Sequence, residues 1–568
     1  MGNDKNTIHT ATADSRLPPG ARSAPVAGEV KLPPGVSAKD FAAALALFRQ
    51  AVGAEWVFTS AEDLALYRDA YSPMWDEADE RLASAAVAPD GVEQVQAVVK
   101  AANTCKIPIY PISTGRNLGY GGSAPVLSGS VVLDLRRMNR ILEVNERNAS
   151  VLVEPGVSYF DLYRHIRQRK LKVWIDVPDP GWGSLIGNAL ERGAGYTVSP
   201  FRDHWAAHCG MEVVLANGDV VRTGMGALPG AKSWQQFQYG YGPQVDGLFS
   251  QGNSGIVTKM GFWLLAEPEA FRACRVRVPK YEHLAPLIDT LSYLMNSGVM
   301  SSMTRLESPL LYGIVIGGPV DAGVQALLAR GATTQELEQY GSEHNLAYWS
   351  APLRFYGPAK VVDAQWEYAR EKLSAAIPGA TFDEEPVVRF PLSDVQAEET
   401  LDPASFGVPS LVAFGMGARS PTNPTPFSGH VWFSPVIPMS ADAVMECQRV
   451  FTAAFKEWGV QPLGVPLPQS YHPRTFVQIY GFPVVRDIET NKKNRDIFRR
   501  MIKLAAEHGW GEYRTAPAFM DDCMAAYSFN DHALLRLHET IKDALDPNGI
   551  LSAGRYGIWP KHLRKERT

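Results

Sequence analysis

The stretch Pro108-Ile-Tyr-Pro-Ile-Ser-Thr-Gly-Arg-Asn-Leu-Gly-Tyr-Gly-Gly-Ser-Ala-Pro125 places four glycines, Gly115, Gly119, Gly121 and Gly122, within eight residues. Hydroxyls, an Arg and an Asn surround them. Such a loop turns tightly and can bring several bare backbone N–H groups against one anion. It follows an apolar run and precedes the strand-like Gly129-Ser-Val-Val-Leu-Asp-Leu135. That order excludes the dinucleotide fingerprint, whose glycines open a helix after a strand. The Gly-Lys-Ser/Thr of a nucleoside-triphosphate loop is also missing. On these residues alone, an ordinary glycine-rich surface loop fits equally well.

Working outward, Val92–Cys105 before the loop reads as a helix with Val95, Val98, Val99 and Ala102 inward, and Ser37 caps an earlier helix bearing Phe41, Leu45 and Phe48. After the loop the period changes to two, over Ser130–Leu135, Ser150–Val153 and Met211–Val221. Asn217-Gly218 predicts a type I′ hairpin turn in the last of these, and Tyr159–Lys170 reads as a helix. Strands and helices mix without regular βαβ alternation, so the fold class is α+β. From about residue 272 the character shifts. Arg275–Pro279 and Gly429–Pro435 read as strands; Tyr281–Ser297, Val320–Gly341, Pro358–Ala376, Ser440–Trp458, Ile488–His508 and Asp531–Leu545 read as helices. Pro403–Pro426 reads as a loop-rich region. The expected division is a disordered tail over 1–36, a first domain over 37–271, a second over 272–508 and a closing segment over 509–568.

A chain of 568 residues exceeds one core. Its net charge of −5 argues against nucleic acid or an anionic membrane surface as partner. No apolar run reaches the ~18 residues of a membrane helix, and Met1–Thr7 lacks a secretory h-region. Five scattered cysteines without CxxC spacing fit a reducing compartment, and a cytoplasmic location is expected. His204 and His208 are spaced like metal ligands, but Trp205 stands where a helix-borne zinc motif needs Glu, so no metal is expected.

A second irregular stretch, Asp176-Val-Pro-Asp-Pro-Gly-Trp-Gly-Ser-Leu-Ile-Gly-Asn188, brackets Asp179 between two prolines that restrict the backbone. By residue type alone Asp179 is more simply a turn residue than a catalyst.

Together these segments resemble the flavoprotein family of vanillyl-alcohol oxidase, eugenol oxidase and p-cresol methylhydroxylase. The resemblance is carried by Ser113–Pro125, Val153-Glu-Pro-Gly-Val157, Val177–Ser184, Gly210–Gly218, Arg222–Pro229, Ser254–Met260, Gly511-Glu-Tyr-Arg-Thr515 and Asp546-Pro-Asn-Gly-Ile550. It implies a two-part FAD-binding domain of the p-cresol methylhydroxylase type, built from both chain ends, with an α+β cap over the flavin. It further implies that Ser113, Thr114, Gly115, Arg116, Asn117, Leu118 and Gly119 hold FAD, with Ser184, Gly187, Asn188, Ile256, Val257 and Arg555 along it. His430, in Ser428-Gly-His-Val-Trp-Phe-Ser-Pro435, matches the histidine bonded to the flavin 8α-methyl in the family's oxidases.

Tyr120, Tyr513 and Arg514 match the family's phenolate-binding triad, and Asp179 its acid beside flavin N5. Two phenol donors and a permanent cation would stabilise a bound phenolate. The resemblance implies oxidation of a para-substituted phenol by hydride transfer from the para α-carbon to flavin N5, leaving a p-quinone methide. Oxygen is the expected acceptor, hydrogen peroxide the product, and a homodimer or higher oligomer the assembly. A dehydrogenase serving a cytochrome or other carrier is the alternative. Leu467–Thr475 departs from the family's Arg-Glu-Met-His-His wall, and Tyr196–His204 is two residues longer than its counterpart.

Overall fold

The computed structural model describes residues 31–564 apart from 118, 198–202, 301, 313–320, 401, 412–427, 461–462 and 486. Leu118 and residues 1–30 of the expected tail therefore lie outside the described residues, as does most of the expected 403–426 loop.

The glycine loop hangs from a four-stranded sheet ordered Val57–Phe58, Ala85–Val87, Val131–Asp134, Ile109–Ile112. The two strands flanking Val131–Asp134 run parallel to it. The helix Val92–Cys105 packs on this sheet through Val95, Val98, Val99 and Ala102, none of them exposed. Each such valine contributes roughly 1.5–3 kcal/mol by leaving water. Ser37 caps the helix Ala38–Val52, accepting from the Asp40 amide at 3.1 Å.

A second, antiparallel sheet is ordered Ile141–Asn145, Ser150–Val153, Ile256–Trp263, His208–Val214, Val220–Arg222. Its last hairpin corrects the expected turn. Gly218 has φ +85° but Asn217 does not share that left-handed backbone, and the Gly218 amide donates to the Leu215 carbonyl at 2.8 Å. This is a type I turn closed by a left-handed glycine, which gives a bulged hairpin where type I′ would need both residues left-handed.

Beyond residue 270 two further sheets appear. Ala270–Val278 pairs along its whole length with Trp349–Gly357 and also with Thr381–Glu384. Thr475–Val485 pairs with Ser428–Phe433, Val436–Pro438 and Leu463–His472. The strands Trp349–Gly357, Leu463–His472 and Thr475–Val485 went unrecognised in the sequence. The long helix expected over Val320–Gly341 is two helices, Ala322–Ala329 and Thr334–Glu343, broken at Gly331 with φ +73°. One apolar core joins these sheets to their helices, from Cys274 to Phe519, with Phe433 ringed by Phe451, Tyr480 and Phe498.

The end of the chain returns to the first sheet. Leu551 forms a parallel bridge to Ile109, and the Ile109 amide donates to the Ile550 carbonyl at 2.7 Å. Lys542, wholly buried, anchors this return. Its ammonium donates to the carbonyls of Asn253 at 2.7 Å and Leu551 at 2.6 Å and pairs with Asp546 at 2.7 Å. Burial lowers its pKa, and Asp546 opposes that. All five cysteines are free, and no helix among the described residues is long and apolar enough to cross a membrane.

Candidate active site

Ser113, Thr114, Gly115, Arg116 and Asn117 leave the strand Ile109–Ile112 and line a cavity of about 1000 Å³. Ser184, Gly187 and Asn188 line it from the other stretch singled out in the sequence. Ser184 caps the short helix Leu185–Leu190, its Oγ accepting from the Gly187 amide at 2.9 Å. A Cβ on Gly187 would stand 2.4 Å from Ser113 Oγ, so only glycine lets the two loops approach this closely.

A buried relay holds Asn188 in place. Its Nδ2 donates to the Tyr159 hydroxyl at 2.9 Å, that hydroxyl bonds His204 Nδ1 at 3.0 Å, and His204 Nε2 lies 3.2 Å from Asp176. His208, on its strand, faces Asp246 at 3.3 Å instead. The two histidines thus serve separate hydrogen-bond networks. Groups of three His, Cys, Asp or Glu able to hold a metal are absent among the described residues.

Ile256 and Val257 begin a strand of the second sheet and reach the cavity, as does Arg555 from the far end of the chain. Arg555 is held by Glu191 and the Tyr110 hydroxyl, and the Tyr556 hydroxyl also donates to Glu191.

His430 enters from the sheet beyond residue 270. It is buried, lines the cavity, and lies edge-on to Tyr71 at 4.9 Å between ring centroids, with Trp432 at 4.3 Å. Gly119 does not line the cavity but backs onto this pair. It has φ +84°, and a Cβ there would meet Trp432 at 2.7 Å and His430 at 3.1 Å. The glycine loop and His430, more than three hundred residues apart in sequence, are thereby in contact.

Tyr120, Tyr513 and Arg514 converge. The Arg514 guanidinium carbon is 3.9 Å from the Tyr120 ring centroid and 5.1 Å from that of Tyr513. The two phenol rings meet edge-on at 6.5 Å. Tyr120 shares a hydrogen bond with Ser434 Oγ at 3.1 Å, while the Tyr513 hydroxyl donates to the Arg192 carbonyl at 2.8 Å. Burial raises the Tyr120 pKa and Arg514 opposes the rise, so the phenol stays protonated as a donor at neutral pH.

Two residues that sequence reasoning passed over complete this corner. Glu512 accepts from the Ser434 amide at 2.7 Å and pairs the 511–515 segment with the strand end. Burial pushes its carboxyl well above the usual range, and its Oε2 meets no hydrogen-bond partner among the described residues. Tyr196, half-buried at the cavity wall, has its phenol pushed up to about 12, first by loss of solvent and then by Asp179. Asp179 itself lines the cavity. Adjacency to Tyr513 was the one available sign of Glu512, and Tyr196 stood at the start of the lengthened segment.

Residues 83–224 match the FAD binding domain family. The 4-cresol dehydrogenase [hydroxylating] flavoprotein subunit of Pseudomonas putida is 33% identical over 539 residues, covering 93% of this chain and 97% of that protein. The chain belongs to the p-cresol methylhydroxylase-type flavoprotein family. Members of this family also set its fold. The 4-ethylphenol oxidase of Gulosibacter chungangensis, solved as an isoeugenol complex, superposes with TM-score 0.78 at 33% identity, over 94% of this chain and 100% of that one. A p-cresol methylhydroxylase structure with substrate bound gives 0.77 at 31% identity, over 93% and 99%.

As a p-cresol methylhydroxylase-type flavoprotein the chain is a flavin-dependent oxidoreductase with FAD as cofactor. Its fold is the two-part FAD-binding domain built from both chain ends, with an α+β cap. The residues present fit that group. The cavity floor is bare backbone at Gly115 and Gly187, where Cβ atoms would stand 2.2 Å and 2.4 Å from Ser123 and Ser113 hydroxyls, and Arg116 lines it with its charge.

Proposed function

We propose that this flavoprotein oxidises para-substituted phenols, such as 4-alkylphenols, 4-allylphenols or 4-hydroxybenzylic alcohols, with molecular oxygen as electron acceptor. The carrying observation is Arg514 stacked between Tyr120 and Tyr513 on the wall of the cavity that the glycine loop also lines. A permanent cation flanked by two phenol donors is a phenolate receptor. Ser113–Asn117, Ser184, Gly187, Asn188, Ile256, Val257 and Arg555 would hold FAD, with Gly119 backing His430, and His430 would carry it covalently through the 8α position. FAD, when bound, would supply a two-electron oxidant able to accept a hydride from the substrate's para α-carbon.

The protein's part is to set charge and protons. Arg514 and Tyr120 stabilise the phenolate oxygen, which lowers the substrate's phenol pKa and raises electron density at the para carbon. Tyr513 joins them by turning its hydroxyl from the Arg192 carbonyl. As the α-carbon loses hydride the substrate becomes a neutral p-quinone methide, and Arg514 keeps the oxygen anionic until that moment. Asp179 then takes a proton: from an attacking water to give the benzylic alcohol, from the β-carbon of an alkyl side chain to give the alkene, or from the O–H of a benzylic alcohol to give the aldehyde. Tyr196 stays protonated on the same cavity wall as Asp179, whose charge raises its phenol pKa.

A second reading keeps this chemistry but passes electrons to a cytochrome or other carrier, favoured by the name of the Pseudomonas putida relative. One experiment separates them. Acid precipitation should leave yellow flavin in the pellet; flavin in the supernatant overturns the His430 bond. Anaerobic 4-ethylphenol or vanillyl alcohol should bleach the flavin, and air should restore it rapidly. Bleaching without recovery selects the carrier-linked reading, and a flavin that no para-phenol bleaches overturns the phenol reading. The same proposal includes a cytoplasmic homodimer or larger homo-oligomer, and a division into 37–271, 272–508 and 509–568.

A further inference from the structure

The cap contributes a cationic wall to the cavity that the phenol chemistry does not use. Arg275 on the strand Ala270–Val278, Arg354 on its neighbour Trp349–Gly357, and Arg305 just ahead of the helix Pro309–Tyr312 all line the cavity. Register explains the first two: Ala273 faces Arg354, so Arg275 lies two residues along the same face. Glu307, only 1% exposed, binds both Arg275 and Arg305, the latter at 2.6 Å, and Asp402 binds Arg354 at 2.9 Å.

Three guanidiniums thus line the cavity and contact two carboxylates between them, Glu307 and Asp402. Asp383, opposite Arg275 in the strand register, and Glu385 also act on Arg275, but both are exposed and neither lines the cavity. The cluster strains against itself: burial lowers the Arg305 pKa most, and Arg354 and Arg275 lower it further. Like charges held together in a partly dry wall call for an anion. Tyr196 lines the same cavity as this wall and the phenolate receptor.

We propose that the substrate is a para-substituted phenol whose side chain ends in a carboxylate, seated on Arg305 and Arg354 with Arg275 behind. The inference rests on the phenol reading for its aromatic end alone. A carboxylate matches the forked guanidinium geometry, and one carboxylate can be held by two of these side chains at once. The cavity then has two cationic ends, one for the phenolate and one for the side-chain anion.

The test compares 3-(4-hydroxyphenyl)propionate with its methyl ester and with 4-propylphenol as substrates of the holoenzyme. The carboxylate should exceed both neutral compounds in kcat/KM by about tenfold or more, the scale of one charge-assisted hydrogen bond. Arg305→Gln and Arg354→Gln, which keep hydrogen-bond donors for Glu307 and Asp402, should each lower the carboxylate-to-neutral ratio by about tenfold. Calorimetric titration with 3-phenylpropionate and 3-phenylpropanamide, neither of them a phenol, reads the wall without turnover. The carboxylate should bind about tenfold tighter, and Arg305→Gln should erase the difference. Equal binding of the two, or a neutral substrate preferred by the unmodified enzyme, overturns the inference. A carboxylate preference in binding together with no oxidation of any para-phenol upholds the wall and overturns the phenol reading.

Discussion

Replacing Gly119 by Ala tests the contact that joins the glycine loop to His430. The position has φ +84°, and the left-handed backbone costs an L residue about 1–2 kcal/mol. The new methyl would lie 2.7 Å from Trp432 Cδ1 and 3.1 Å from His430 Cδ2. Carbon atoms rest at about 3.5–4.0 Å, so the indole must retreat by roughly 1 Å. Overpacking of that size costs about 1–3 kcal/mol. The expected loss is therefore about 2–5 kcal/mol. It is read by denaturant unfolding, alongside the fraction of flavin retained in an acid pellet, which falls because His430 is displaced. Adding Trp432→Leu removes the obstacle but not the backbone strain. In a double-mutant cycle it should return the packing share and leave about 1–2 kcal/mol. A Gly119→Ala protein with unchanged stability and flavin content refutes the close approach, and a cycle with no coupling refutes the clash with Trp432.

Three further outcomes are expected. Arg514→Lys keeps a charge but loses the planar fork and should lower kcat/KM for para-phenols by about 10–100-fold. It should also move the rising limb of the pH–rate profile toward the substrate's own phenol pKa, and an unmoved limb counts against phenolate binding. Glu512 carries a raised pKa when folded, so folding takes up a proton and stability falls as pH rises above the unfolded value of about 4.3. Glu512→Gln removes that dependence, and its melting temperature should match the unmodified protein at pH 4 and exceed it at pH 8; parallel curves refute the buried protonated carboxyl. Lys542→Met leaves Asp546 buried and unpaired at a cost of about 3–5 kcal/mol, read as a lower denaturant midpoint, and Asp546→Asn in the same chain should recover part of it.

The first half of the molecule was largely legible because its signals are local. Valines at helical spacing placed Val92–Cys105, and serine caps marked where helices begin. Asn217-Gly218 marked a hairpin correctly but not its turn type, which depends on the φ of Asn217 and not on composition. The strands Trp349–Gly357 and Thr475–Val485 were missed because both are buried along most of their length and lack polar–apolar alternation. At the site, the family resemblance drew attention to Tyr120, Asp179 and the Tyr513–Arg514 pair, whereas the cap arginines carried no local sign. Arg275 and Arg354 become neighbours only through a strand register between segments some eighty residues apart.

The return of the chain to its first sheet has a consequence for biosynthesis. Ile109 finds its partners at Ile550 and Ser552, and the cavity includes Arg555. The glycine loop is made early, but its sheet edge and one wall of its cavity arrive only with the last residues. At about 5–20 residues per second that gap is on the order of a minute. Until it closes, the nascent loop has no complete pocket, so tight capture of the cofactor must await the synthesis of Ile550–Arg555. A truncation before Lys542 would cost the protein its flavin as well as its tail.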